Sequence, residues 1–171
     1  AIITHTIESY KYFIETYLQA KQIDKAWSQI YNIAFENSTE KRTISGYNYF
    51  INTYANAPQV HLATEGIHTI AFNNAKAEHT SISYKYFIQN YPNSKQYNEA
   101  FNLYEFTQFL ENTISNQWYT YVQFIYNFPN NSNKERAIDS IIAVSIRLEN
   151  ASGILFSIQN RVYFCVIFFL V

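Results

Sequence analysis

The chain has 171 residues, with 12 Lys and Arg against 13 Asp and Glu, a formal net charge of −1 and both signs scattered along its length. Nucleic-acid affinity rests on clustered Lys and Arg, so this balance excludes a phosphate-binding surface, and no nucleic-acid partner is expected. A content of 16 Tyr and 14 Phe against three Gly and three Pro excludes disorder and suits helices packed through aromatic rings.

The opening "AIITHTIESY" lacks the basic stretch and apolar core of a secretory signal. With no Met in the chain, it reads as a processed or excised part of a longer one. A lone cysteine, Cys165, allows no internal disulfide and leaves the compartment open. Sequons at Asn37, Asn130 and Asn150 are accounted for by the abundance of Asn.

The first element is helical. Tyr10, Phe13, Ile14 and Tyr17 fall at i, i+3, i+4 and i+7 and form one stripe, here named helix A, with Thr6 placed to cap it. After a break, Ala26, Ile30, Ile33, Ala34 and Phe35 form a second periodic run, helix B. The polar stretch "ENSTEKRT" (36–43) follows, ending in Thr43, a cap for the next helix with Ser45 as a rival.

The same text then returns. Tyr47, Phe50, Ile51 and Tyr54 repeat helix A, Pro58 marks the break, and Ala63, Ile67, Ile70, Ala71 and Phe72 repeat helix B. After "NNAKAEHT" (73–80), with Thr80 or Ser83 as cap, come Tyr84, Phe87, Ile88, Tyr91, Pro92 and Ala100. A fourth copy carries Tyr121, Phe124, Ile125, Phe128, Pro129 and Ala137. Phe13, Phe50, Phe87 and Phe124 are spaced 37 residues apart without a slip, which defines an internal repeat with units at about 5–41, 42–78, 79–115 and 116–150.

The alanine column, Ala26, Ala63, Ala100 and Ala137, has a physical reading. A small side chain lets the two helices of a pair approach while the aromatics of helix A fill the remaining space. A pair this short leaves an apolar face wet, so neighbouring pairs must cover it. The expected fold is therefore all-α, an α-solenoid of four helix-turn-helix repeats plus an apolar C-terminal segment.

That segment, residues 151–171, breaks the pattern. Arg161 stands where a fifth Phe is due, and the chain ends in ten consecutive apolar residues, fewer than the roughly 20 needed to span a bilayer. Three readings stay open: a closing helix lying on the fourth pair, an anchor at a membrane interface, or a chain that stops short of its natural end.

The order of Tyr10, Phe13, Tyr17, Ala26 and Ile30, with counterparts 37, 74 and 111 residues on, resembles the tetratricopeptide repeat over about residues 5–150. Ile14, Ile51, Ile88 and Ile125 depart from it by standing where that family usually has a small residue, and the unit is longer than the 34 residues typical of the family. The turns "YPNS" and "FPNN" resemble those of bacterial tetratricopeptide-like proteins of envelope assembly. The resemblance implies a right-handed curved array that scaffolds protein complexes without catalysis or cofactor. It further implies a concave groove lined by helix A residues that point away from the core. By register these are Lys11, Glu15, Asn48, Asn52, Lys85, Gln89, Tyr119, Val122 and Tyr126, a set suited to an extended peptide or protein partner. The alternatives are a passive structural spacer within a larger multidomain protein and a membrane-associated assembly factor using residues 154–171.

No chemistry-bearing motif displaces that reading. His61, Glu65 and His68 have metal-ligand spacing on helix B. Their columns hold Asp24, Asn98 and Glu135, and Ser28, Asn102 and Asp139, in the other copies, so they read as a solvated face and no metal is expected. Gly46, Gly66 and Gly153 are isolated, which gives no phosphate loop. Cys165 sits in an apolar run and reads as an inert thiol.

Overall fold

A computed structural model describes residues 4–152. The regular structure within them is helical throughout: α1 (Ile7–Thr16), α2 (Ile23–Lys41), α3 (Ile44–Thr53), α4 (Val60–Glu78), α5 (Ser81–Asn90), α6 (Tyr97–Asn112), α7 (Trp118–Asn127) and α8 (Lys134–Ser152). The fold is all-α, with no strand among the described residues. Short ten-residue helices alternate with helices of 16 or 19 residues, and these are the A and B elements of the repeat. The part of the apolar segment from residue 153 on, with Cys165, lies outside the described residues. Among the described residues no helix is long and apolar enough to cross a membrane.

The threonines cap the helices, and the rival serines take other roles. Thr6, Thr43 and Thr80 accept from the backbone N–H of Ser9, Gly46 and Ser83. Ser9 and Ser83 complete capping boxes by accepting from the backbone N–H of the capping threonine. Ser45 bonds only to the Thr43 hydroxyl, at 3.2 Å. Gln117 precedes α7 and makes no side-chain cap.

The turn from A to B is also repeated at the level of the backbone. Tyr17, Tyr54, Tyr91 and Phe128 leave the helix, yet their N–H groups still donate to the carbonyls of Phe13, Phe50, Phe87 and Phe124 at 2.8–2.9 Å. Ala20, Ala57 and Asn131 then donate to Tyr17, Tyr54 and Phe128. The first turn forms without proline, so hydrogen bonding rather than Pro58 or Pro129 defines its geometry.

A further column was not legible in the sequence. Arg42, His79 and Asn116, 37 residues apart, have φ of 44°, 49° and 51°; Arg42 and His79 directly follow α2 and α4, and Asn116 closes the turn after α6, all in the left-handed conformation without glycine. Two of them hold the next helix A. His79 Nδ1 lies 2.9 Å from the hydroxyl of Tyr84, and Asn116 Oδ1 accepts from Tyr121 at 2.7 Å. His5, one step earlier in the repeat, makes the same contact with Tyr10 at 2.6 Å.

The helices fall into two units. In the first, residues 4–77 with Asn93–Gln96, α1 packs on α2 and α2 on α3. Its core holds Ile30, Ala34, Phe50, Tyr54, Ala57 and Ala63. Phe35 of α2 meets Phe50 of α3 edge-on at 5.4 Å, and Tyr31 meets Tyr54 at 6.1 Å. Gly66 leaves room for the Tyr47 ring, which would lie 2.7 Å from a Cβ there.

In the second unit, Glu78–Pro92 with the chain from Tyr97 on, α5 packs on α6, α6 on α7 and α7 on α8. Phe109, Tyr121, Phe124, Ile125, Ala137 and Ile141 form a core cluster. Phe109 of α6 meets Phe124 of α7 edge-on at 5.3 Å, repeating the Phe35–Phe50 pairing. Glu111 of α6 binds the first turn of α5, accepting from the Ser81 N–H at 2.8 Å and from its hydroxyl. The alanine column is buried in both units: Ala26, Ala63, Ala100 and Ala137 are all 4 % exposed or less.

Candidate functional site

The residues expected to line a groove are on the surface, with one exception. Lys11 and Glu15 on α1, Asn48 and Asn52 on α3, Lys85 and Gln89 on α5, and Tyr119 and Tyr126 on α7 are exposed. Val122 is half-buried against the core cluster of the second unit. Trp118, at the start of α7, sets its ring edge-on to Tyr119 at 6.0 Å and remains partly exposed.

In the first unit, Lys11 belongs to a built cleft. Ile7, Glu8 and Lys11 of α1, Asn37, Ser38 and Lys41 near the end of α2, and Tyr49 of α3 surround a space of about 240 Å³. Its remaining lining residues are Ala34, Gly46, Phe50 and Tyr54, of which Phe50 and Ala34 supply an apolar floor. The Ser38 hydroxyl is turned inward to the Phe35 carbonyl at 2.6 Å, so it is committed to the helix. Lys11, Lys41, Asn37 and the Tyr49 ring remain as recognition chemistry, with Glu8 as the one carboxylate.

Electrostatics follow from this placement. Burial pushes the Tyr54 hydroxyl above its ordinary pKa, and the neighbouring Tyr49 and Glu8 push in the same direction. Tyr54 therefore stays a neutral phenol, and the positive charge of the cleft comes from its two lysines.

Glu15, Asn48 and Asn52 do not line this cleft. Helix A spacing gave no sign of Asn37 and Lys41, which come from the end of helix B. Sequence reasoning also passed over Tyr12, Tyr49 and Tyr86, which occupy one column of helix A and are all largely exposed. Their spacing was visible, but tyrosine in an aromatic-rich chain reads as core. A second, more open hollow in the first unit is lined by Glu40, Arg42, Tyr47, Gly66, Thr69 and Asn73, among others.

The metal-ligand spacing on α4 is spent on other contacts. His61 Nδ1 lies 2.7 Å from the Pro58 carbonyl. Glu65 pairs with Lys95 at 2.6 Å, and this hydrogen bond and charge, with His61 and His68 adding to them, hold its carboxyl below the usual range.

No model of a known protein family matches the chain, and no curated protein matches it.

Proposed function

We propose that the chain is a non-catalytic protein-binding scaffold, a tetratricopeptide-like repeat array that takes a peptide or protein segment on its helix A side. The observation that carries this reading is the cleft between α1, α2 and α3, where Lys11, Lys41, Asn37 and Tyr49 stand over the apolar floor of Phe50 and Ala34. At about 240 Å³ it is smaller than the roughly 300–1,000 Å³ of small-molecule sites. It suits one or two side chains of a longer ligand. Two lysines favour a carboxylate, Asn37 offers an amide to a peptide backbone, and the Tyr49 ring offers a flat apolar wall.

The test is selection of random peptides displayed against the purified chain, followed by direct binding measurements. Enriched peptides should pair an acidic residue with an apolar neighbour. Lys11→Ala should weaken binding about tenfold, the loss of one charge-assisted hydrogen bond, while Asn52→Ala, outside the cleft, should leave it unchanged. Failure to enrich any peptide, or equal binding by Lys11→Ala, would leave a passive spacer as the better reading.

A further inference from the structure

The repeat seals helix A against the preceding helix B with the same pair of columns in each unit: Phe35 on Phe50 at 5.4 Å and 62°, Phe109 on Phe124 at 5.3 Å and 80°. Two members of these columns lack such a pairing. On α1, Phe13 occupies the column of Phe50 and Phe124 but is only half-buried. Tyr17, just past α1, is 56 % exposed, whereas Tyr54, its equivalent just past α3, is 9 % exposed. On α8, Ile146 occupies the column of Phe35 and Phe109, and Ile142 that of Tyr31; they are 48 % and 47 % exposed.

The two faces are complementary by construction. The face of α1 is the helix A surface that α2 covers on α3 and α6 covers on α7, and the face of α8 is the helix B surface that α2 and α6 use to cover them. We infer that the occupant of each is a second copy of this chain, with α8 of one molecule packing on α1 of the next. This contact continues the α2–α3 and α6–α7 interfaces across molecules. It is head-to-tail, using two different patches, and it involves Phe13 and Tyr17 rather than the lysines of the cleft, so it stands or falls separately from peptide binding.

The test uses the full chain and two variants, each spoiling one face at an exposed position: Tyr17→Glu at the end of α1 and Ile146→Glu on α8. Sedimentation velocity is run on each from low to high micromolar concentration. Wild type should gain mass with concentration, and each variant alone should remain at the mass of one chain. Mixed in equal amounts, the variants still have one intact face of each kind, and should form a species of twice the chain mass and nothing larger. Tyr17→Phe, which keeps the ring, should associate as wild type does. Helical circular dichroism checks that each variant is folded, with Tyr17→Lys and Ile142→Lys replacing any that is not. The proposal is overturned if wild type stays monomeric, the result expected if residues 153–171 cover α8 instead. It is equally overturned if either single variant associates like wild type, or if the mixture does not pair.

Discussion

The hydroxyl of Tyr121 donates to Oδ1 of Asn116, 2.7 Å away and five residues earlier. Asn116 is the left-handed residue in the turn between α6 and α7, so the bond ties that turn to the core ring of the next helix A. Removing a part-buried hydrogen bond of this kind costs about 1 kcal/mol. Tyr121→Phe should lower unfolding stability by about that amount in urea titrations. In an Asn116→Ala background the same change should cost little more, because the partner is already gone.

At Arg42 the left-handed conformation is held by a side chain with a Cβ, which costs roughly 1–2 kcal/mol relative to a residue that adopts it freely. Arg42→Gly relieves this at the price of a more flexible unfolded chain. The expected result is a melting temperature equal to or above wild type, and a clear fall would show that the Arg42 side chain makes a contact of greater worth than the strain.

The phenylalanine column separates residue type from environment. Phe124 is 1 % exposed in the core of the second unit, while Phe13 is half-buried. Phe124→Ala should cost about 3–5 kcal/mol as a large-to-small core change. Phe13→Ala should cost less than half of that in the same denaturation assay, although both rings stand at the same position of the repeat.

At the alanine column the opposite change is informative. Ala63 is fully buried between the aromatics of α3 and its own helix. Ala63→Leu inserts bulk into a packed core and should destabilise by about 1–3 kcal/mol. An unchanged urea midpoint would mean that close approach is not what the small residue provides.

Alkaline pH probes the buried phenols. The pKa values of Tyr54, Tyr84 and Tyr91 are raised, in each case chiefly by burial. A folded pKa above the unfolded one means that the folded state holds the proton more tightly. The associated stability is present in full below the ordinary tyrosine pKa of about 10 and is lost as pH rises through the folded value. Urea midpoints should therefore fall above about pH 10, and Tyr54→Phe should fall less steeply than wild type.

Much of the fold was legible because it is written in spacing. The 37-residue step of Phe13, Phe50, Phe87 and Phe124 marked the A helices, the alanine column marked the B helices, and Thr6, Thr43 and Thr80 marked the starts. The left-handed column was hidden because Arg, His and Asn share no side-chain type, and what they have in common is a backbone angle. The candidate cleft was legible only in Lys11, since Asn37 and Lys41 reach it from the end of the neighbouring helix, a relation of packing and not of period. The unequal burial of Phe13 and Phe50 was equally out of reach, because it depends on which helix lies against each ring.

That last point is the core of the account: a helix A is stabilised by the helix B that covers it. Native-state hydrogen exchange at low micromolar concentration, where association between chains is minimal, tests it directly by comparing α1 with α3 and α7. The account predicts markedly weaker protection in α1, which among the described residues has no preceding helix B over Phe13 and Tyr17, although all three helices share the Tyr, Phe and Ile of the stripe. Equal protection of the three helices would contradict it.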